Sequence, residues 1–233
     1  MARLIRAASA FFADCVLPND CFVCGGGAGR ELLCARCRGE LPLAYDCCPV
    51  CAIPVKGGAV CGSCQREPPA FDASVAALRY LFPADRLLQA LKYGGRLAVS
   101  GLVAQLLLEW VAPVENAILV PMPLHERRLR ERGFNQAVEI ARPLARAWNL
   151  PLELEAVRRV RDTASQATLP WSRRRVNMRG AFRCDTSFAG KTVIVIDDVM
   201  TTGATLDELA RTLKASGAAR VENCVVARTP SPV

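Results

Sequence analysis

Hydrophobic and polar positions divide the chain into two parts of different character. Up to about residue 66, apolar residues are scattered among glycines and cysteines without sustained helical or strand periodicity. From Phe71 onward, short β-branched apolar runs alternate with segments whose apolar residues recur every three or four positions. The first pattern is typical of a module without a large core, and the second indicates strands alternating with helices. Between the two parts, Glu67-Pro68-Pro69 is expected to be a linker.

The second part predicts an α/β fold with an open, mostly parallel sheet and helices on both faces. The strands are expected at residues 74–82, 117–120, 152–160, 192–196 and 220–227. The helices are expected at residues 85–93, 97–111, 131–148 and 205–216, the third of them bent or interrupted near Pro143. We therefore expect three regions: an N-terminal helix over 1–14, a cysteine-rich module over 15–66, and the α/β domain over 71–233.

Composition allows a folded protein with a preference for anionic partners. Of the 233 residues 52% are apolar, and the formal net charge is +8. Seven arginines lie between residues 158 and 179 with a single acid among them, which favours nucleic acid, phosphorylated small molecules or an anionic membrane surface.

The sequence predicts no membrane span and a cytoplasmic protein. The most apolar region, 101–124, is interrupted by charged and helix-breaking residues well short of about 20 apolar positions. Residues 1–14 resemble a signal peptide superficially, but their apolar run is only about seven residues long. We expect an amphipathic helix there instead.

Four Cys-x-x-Cys pairs with matched spacing predict two zinc sites. Each pair can offer two thiolates to one ion from a tight turn, and two pairs complete a tetrahedral site. Such a site has no open position for chemistry, so the zinc is expected to be structural and to replace a hydrophobic core. The predicted ligands are Cys21, Cys24, Cys34, Cys37, Cys48, Cys51, Cys61 and Cys64.

Other readings of the cysteines remain open. A disulfide framework is disfavoured by a cytosolic location, and a redox Cys-x-x-Cys motif needs one pair rather than four. The ligand sets can follow the chain order or interleave. Cys15 and Cys47 are left over, and Cys47 can replace Cys48 as a ligand.

The segment VIVIDDVMTTGAT, residues 193–205, combines a buried strand, two acids and a short threonine–glycine loop. In open α/β sheets ligands bind at the carboxyl ends of the strands, where Asp197 and Asp198 fall. The loop leads into a helix whose first N–H groups can hold a phosphate without a lysine. The carboxylates can accept hydrogen bonds from two neighbouring hydroxyls, so a sugar phosphate fits. The alternative is an ordinary helix cap beside two solvated acids.

This segment resembles the phosphoribosyl-pyrophosphate (PRPP) signature of type I phosphoribosyltransferases. The resemblance implies that fold, with Asp197 and Asp198 as the catalytic pair that binds the ribose hydroxyls. It also implies Mg²⁺ held largely by the substrate's own hydroxyls and pyrophosphate. The 5′-phosphate would be bound by Thr201, Thr202, Gly203, Ala204 and Thr205.

Further segments resemble the ComF family, whose members join a double zinc ribbon to a phosphoribosyltransferase-like domain. They are ALKYGG at 90–95, VPMPLHERRLRERGFNQA at 120–137, RVRDTASQATLPWSRRRVNMRGAF at 159–182, and the cysteine pairs. The family is linked to natural competence, which implies single-stranded DNA and DNA-uptake proteins as partners. The resemblance implies a pyrophosphate-side loop at Pro121, Met122 and Pro123. It also implies a hood, a mobile segment that closes over the substrate in transferases, and a side for the second substrate. The residues placed in these two parts are Arg128, Arg132, Asn135, Gln136, Thr163, Gln166, Arg174 and Asn177.

Simpler roles compete for some of these residues. Arg128 and Arg132 are four apart and can form a solvated helical face, and Phe134 can be a core residue. His125, the only histidine, lacks an evident partner for a general base. Trp171 can stack on a base or anchor the hood.

Two functions are therefore carried forward. One is a PRPP-binding protein that docks single-stranded DNA and uptake partners. The other is an active Mg²⁺-dependent phosphoribosyltransferase that acts on an unidentified small-molecule acceptor in nucleotide metabolism.

Overall fold

A computed structural model describes residues 19–112, 114, 116–162 and 178–230. The helix expected over 1–14 lies outside these residues. The described elements, in chain order, are α1 (Ala35–Gly39), α2 (Gly62–Arg66), β1 (Ala73–Arg79), α3 (Ala84–Gly94), α4 (Ala98–Trp110), β2 (Ala117–Pro121), α5 (Glu126–Arg132), α6 (Gln136–Trp148), β3 (Val157–Arg159), β4 (Phe182–Cys184), β5 (Thr192–Met200), α7 (Ala204–Ala215) and β6 (Arg220–Arg228).

The predicted parallel sheet is confirmed. Its strands lie in the order β1-β6-β5-β2, and every neighbouring pair is parallel. The side chains of β5 alternate between two cores, because helices cover both faces of the sheet. Ile194 and Ile196 pack with apolar residues of α3, α4 and α6, whereas Val193 and Val195 pack with those of α7.

The prediction of one helix over residues 131–148, bent or interrupted near Pro143, is wrong about where the helix starts and where it is interrupted. The chain forms two helices, α5 and α6, separated at Gly133, which adopts the left-handed conformation that ends α5. Asn135 then caps α6 by accepting a hydrogen bond from the Ala137 N–H at 2.9 Å. Pro143 lies inside the continuous helix α6.

Two strand predictions were too long. The segment 152–160 contributes only the three residues of β3, which pair antiparallel with β4 in a separate two-stranded sheet. The segment 74–82 stops being a strand at Arg79. By contrast, β5 is longer than predicted and continues through both aspartates to Met200.

The cysteine-rich module is joined to the edge of the main sheet. Backbone N–H groups of Ser74 and Arg79 donate to the carbonyls of Pro49 and Pro42, at 3.0 and 2.7 Å. The Ala44 N–H donates in return to the Ala77 carbonyl at 3.0 Å. The module thereby satisfies polar groups that an exposed edge strand would leave unpaired.

In the part of the chain that the structure describes, none of the helices combines the length and apolar character that crossing a membrane requires.

Candidate functional site

The two predicted acids lie where β5 extends beyond its neighbour β2. Pairing with β2 ends at Ile196, opposite Pro121, while pairing with β6 continues to Met200. Both carboxylates are buried: Asp197 is 8% exposed and Asp198 is 3% exposed. Asp197 Oδ1 accepts a hydrogen bond from the Asp198 N–H at 2.8 Å, and Asp198 Oδ1 accepts one from the Val199 N–H at 2.6 Å. The solvated-acid alternative is therefore wrong.

A lysine from α3 pairs with this carboxylate site. Lys92 Nζ lies 3.0 Å from Asp198 Oδ2, and the lysine side chain is 21% exposed. Burial lowers the pKa of Lys92, but the charges of Asp198 and Asp197 outweigh this effect and hold the pKa above its ordinary value. Sequence reasoning assigned Lys92 no role, although the ALKYGG segment that contains it was part of the family resemblance.

The second acid, Asp197, has a raised pKa. Burial, followed by repulsion from the charge of Asp198, raises the pKa of Asp197 to about 8. Lys92 opposes this shift. The site therefore contains one carboxylate paired with a lysine and one buried acid whose charged form is disfavoured.

The loop after β5 turns directly into the N-terminus of α7. Gly203 adopts φ +82° and forms the N-cap of α7, which begins at Ala204 rather than at Thr205. The Ala204 N–H donates to Thr202 Oγ1 at 3.2 Å. A Cβ at Gly203 would lie 2.8 Å from Met200 Cε, so only glycine fits this corner without a shift. The first N–H groups of α7 thus lie directly after the paired acids.

A buried arginine, which sequence reasoning did not select, lies behind this loop. Arg228, the last residue of β6, is 2% exposed. Its guanidinium donates to the Met200 carbonyl at 3.1 Å and also to the Thr201 carbonyl. A third hydrogen bond reaches the Cys51 carbonyl in the cysteine-rich module at 2.8 Å.

The residues predicted for the pyrophosphate side form a buried corner. Pro121, Met122 and Pro123 are all buried. The Met122 N–H donates to the Ile196 carbonyl at 2.8 Å, and the Met122 carbonyl accepts from Asn135 Nδ2 at 3.0 Å. Since proline has no N–H, the polar backbone groups of this corner are largely used within the fold.

The RGFNQ segment builds the turn between α5 and α6. Gly133 ends α5, and Asn135 begins α6 while holding Met122. Gln136 is buried and accepts a hydrogen bond from Arg132. The motif therefore has a demonstrable structural role in joining the corner after β2 to the helices that follow.

A basic cavity of about 560 Å³ lies beside the acid pair. The Arg132 guanidinium lies 5.5 Å from the ring centre of Tyr93, whose side chain is 79% exposed. Phe134 is partly buried against the core and also lines this cavity. The described residues that line it are Lys92, Tyr93, Gly94, Gly95, Arg127, Arg128, Glu131, Arg132 and Phe134.

A second missed cation, Arg159, reaches the neighbourhood of the acids from β3. Burial, together with the nearby charge of Arg128, lowers the pKa of Arg159, while Asp197 and Asp162 counteract this. Arg128 Nε itself lies 3.9 Å from Asp162 Oδ1. The sequence showed Arg159 only as part of an arginine-rich segment.

Other predicted residues have local roles or lie outside the described chain. His125 caps α5: its Nδ1 accepts a hydrogen bond from the Arg127 N–H at 3.3 Å. The hood residues Thr163, Gln166, Arg174 and Asn177 lie outside the described residues, as does Trp171.

The cysteines form two sequential groups of four, which decides between the open ligand sets. One group is Cys21, Cys24, Cys34 and Cys37, and the other is Cys48, Cys51, Cys61 and Cys64; within each, all Sγ atoms lie within 4.8 Å of one another. Four thiolates about 2.3 Å from a zinc ion would be about 3.8 Å apart, and the Cys24–Cys34 and Cys51–Cys61 Sγ distances are 3.8 and 3.6 Å.

The thiol pKa values shift in both directions within these groups. Burial raises the pKa of Cys37 to about 12 and that of Cys51 to about 11. Although burial raises it, backbone N–H groups including that of Cys24 lower the pKa of Cys21 to about 6. In the second group, backbone N–H groups of Cys61 and Cys51 overcome burial and lower the pKa of Cys48 to about 7. Cys47 is not in either group; its Sγ lies 3.4 Å from the Tyr45 carbonyl. The sulfur geometry of both groups fits structural zinc.

The fold and the two cysteine groups define a double zinc ribbon followed by a phosphoribosyltransferase-type domain. Family models agree: a double zinc ribbon domain matches residues 12–65, and a phosphoribosyl transferase domain matches residues 132–233.

Whole-chain relatives share both parts. DNA utilization protein YhgH of Escherichia coli (strain K12) is 31% identical over 223 residues, covering 91% of this chain and 98% of that protein. Competence protein F of Haemophilus influenzae is 28% identical, covering 89% of this chain and 96% of its own length. Competence protein ComFC of Bacillus subtilis is 29% identical, covering 81% of this chain and 80% of its own length. The chain belongs to the ComF family.

Proposed function

We propose that this protein binds PRPP at the end of β5 and serves in the utilization of DNA. The observation that carries the proposal is the position of Asp197 and Asp198 directly before the loop that caps α7. The two carboxylates can accept hydrogen bonds from vicinal hydroxyls, and the N–H groups that open α7 can donate to a terminal phosphate. A phosphorylated pentose carries both kinds of group, and one short segment of the chain offers partners for both.

The charges around the acids suit a sugar whose reacting carbon becomes positive. Lys92 pairs with Asp198, and a cation that approaches Asp197 favours the charged form of that acid. Buried carboxylates are effective at stabilising developing positive charge, because little water screens them. The same two groups would bind the ribose hydroxyls in the ground state.

Magnesium fits this site as a companion of the ligand. One oxygen of Asp198 pairs with Lys92 and the other accepts the Val199 N–H, so the ion would be carried largely by the diphosphate. Carboxylate and phosphate oxygens are the ligands that Mg²⁺ prefers. Bound there, it would neutralise charge on the leaving pyrophosphate.

The pyrophosphate end is best served by the basic cavity. Lys92, Arg128 and Arg132 line it beside the acid pair. In contrast, the corner Pro121–Pro123 has few backbone donors left, so we assign it the role of shaping the wall of the site.

The DNA part of the proposal draws on the relatives' names and on the basic surface. A cavity with several arginines and an exposed tyrosine offers both phosphate contacts and a surface for base stacking. Charge reversal across Arg173–Arg175, which lie outside the described residues, should weaken single-stranded DNA binding and flatten its salt dependence. Unchanged affinity and salt slope would exclude that segment from the DNA contact.

The alternative function is an active phosphoribosyltransferase on a small-molecule acceptor, and the acid pair and phosphate loop are compatible with it. It predicts that purified protein, PRPP, Mg²⁺ and a metabolite extract release pyrophosphate. No release beyond that of a control without protein would leave PRPP binding as the function.

Calorimetry on acid-pair variants tests the binding proposal. Replacing Asp197 and Asp198 by alanine should abolish PRPP binding, with both zinc ions retained because neither acid belongs to a group of four cysteines. Unaltered PRPP affinity in the double variant would remove the carboxylates from the site.

A further inference from the structure

The second zinc ribbon and the phosphate loop are connected by one buried side chain. Arg228 Nε donates to the Cys51 carbonyl at 2.8 Å, and Nη1 donates to the carbonyls of Met200, Thr201 and Thr229. Of these four acceptors, one lies in the ribbon, two lie where β5 passes into the loop, and one directly follows β6. A planar guanidinium has donors in enough directions to bind such separated acceptors at once.

The charge of Arg228 is balanced from the ribbon side. Within the described residues, Arg228 forms no ion pair with a carboxylate. Its guanidinium instead contacts the carbonyl of Cys51, which belongs to the second group of four cysteines. Four thiolates around one Zn²⁺ carry a formal charge of about −2, so the loaded site leaves a net negative cluster next to the buried guanidinium.

A second connection runs through the segment that leaves the ribbon. The Ala70 N–H donates to Asp207 Oδ1, in the first turn of α7, at 2.6 Å. The neighbouring Phe71 is 4% exposed, and its ring lies 3.7 Å from the position of a Cβ at Gly203. The ribbon's exit segment therefore packs against the same loop whose backbone Arg228 binds.

We propose that Arg228 is a positioning residue that transmits the folded state of the second zinc site to the phosphate loop. With the second zinc bound, Cys51 and its carbonyl are fixed, and Arg228 holds the Met200–Thr201 backbone so that the loop N–H groups stay aligned. Without that zinc, the Cys51 carbonyl is no longer held in place, and the loop loses its fixed conformation. The first zinc site has no such connection among the described residues; its ribbon contacts α4 through Arg38 and Glu109 at 2.5 Å.

The inference rests on the proposed phosphate role of the loop, and the test separates the two. Full-length wild-type protein and the variants Arg228→Lys, Cys61→Ser and Cys34→Ser are compared by zinc content, by calorimetric titration with ribose 5-phosphate, and by hydrogen exchange followed by mass spectrometry. Lysine keeps the charge but cannot reach the ribbon and loop carbonyls together.

We expect Arg228→Lys to retain two zinc ions and to bind ribose 5-phosphate on the order of tenfold more weakly. Its amide exchange should accelerate over residues 199–206 alone, whereas a general loss of stability would accelerate β5 and β6 throughout. Cys61→Ser should retain one zinc ion and show the same accelerated loop. Cys34→Ser should also retain one zinc ion but leave the exchange of the loop unchanged.

Unchanged loop exchange in both Arg228→Lys and Cys61→Ser would overturn the inference. If Cys61→Ser does not fold, Arg228→Lys decides the matter, since it leaves both zinc sites intact. If wild-type protein binds neither ribose 5-phosphate nor PRPP, the proposed function fails, while the exchange data still report whether the ribbon controls the loop.

Discussion

Lys92 of α3 and Asp198 of β5 form a largely buried ion pair, with Nζ 3.0 Å from Oδ2. The carboxylate is only 4% exposed, so it depends on the lysine for its charge compensation. The pair connects the helix that follows β1 to the end of the strand that carries the site. It also lies at the junction of the acid pair and the basic cavity.

Lys92→Met is expected to lower the free energy of unfolding by about 3 kcal/mol, because it leaves a buried charge without its partner. The double variant Lys92→Met/Asp198→Asn should recover at least half of that loss, as measured by urea unfolding. Lys191→Met, which changes an exposed lysine immediately before β5, is the control and should stay within about 0.5 kcal/mol of wild type. If the losses of unfolding free energy in the two single variants simply add in the double variant, Lys92 and Asp198 are not energetically coupled.

Asp197 makes the stability of the protein depend on pH. Because the folded pKa of about 8 lies above the ordinary value of 3.8, the folded state holds a proton that the unfolded state releases. The stabilisation is complete below about pH 4 and is lost as pH rises toward 8. Asp197→Asn should therefore gain in stability relative to wild type as pH rises from 5 to 8. At pH 8 we expect the Tm of Asp197→Asn to exceed that of wild type, by about 2–4 °C for each kcal/mol of unfolding free energy gained.

Thermal unfolding across this pH range measures the effect. A difference between Asp197→Asn and wild type that is constant from pH 5 to 8 would contradict the raised pKa.

The adjacent residues Cys47 and Cys48 provide a matched test of the zinc assignment. Cys48 belongs to the second group of four, whereas Cys47 lies outside both groups. Cys48→Ser should reduce the zinc content from two ions per chain to one, and Cys47→Ser should keep two. Zinc analysis of the purified proteins decides this, and equal zinc contents in the two variants would contradict the assignment.

Gly203→Ala should damage the phosphate loop. A Cβ there faces both a positive φ of +82° and contact with Met200, and we expect a loss of about 1–2 kcal/mol in stability together with weaker PRPP binding. Gly190→Ala is the control: its φ is +69° but no atom lies within 4 Å of the added Cβ. Gly190→Ala introduces a similar backbone strain just before β5, at the end of the strand opposite to Gly203. It should therefore leave PRPP binding unchanged. Equal PRPP affinities in the two variants would show that the Gly203 corner does not shape the site.

Local patterns were sufficient for the parts of the fold that depend on short-range information. The run 192–196 predicted β5, because four apolar residues in succession fit a strand covered on both faces. The periodicity of 97–111 likewise predicted α4 to within one residue at each end. The break at Gly133 was missed although its signals were present, a glycine followed by a capping asparagine, since Pro143 was taken as the stronger helix breaker.

Long-range contacts account for what the sequence could not supply. Arg228 and Cys51 are 177 positions apart, and no local pattern relates them. Lys92 likewise lies on a helix that showed only amphipathic periodicity, and its pairing with Asp198 depends on the order of strands in the sheet. The acids and the loop were predictable because they lie on one continuous segment, whereas their charge partners come from other elements.

The most direct measurement of the central claim is a crystal structure of the protein with PRPP and Mg²⁺. The account predicts the ribose hydroxyls on Asp197 and Asp198, and the 5′-phosphate on the N–H groups that open α7. Density for the sugar diphosphate at another position, with the acids and the loop unoccupied under saturating ligand, would contradict it.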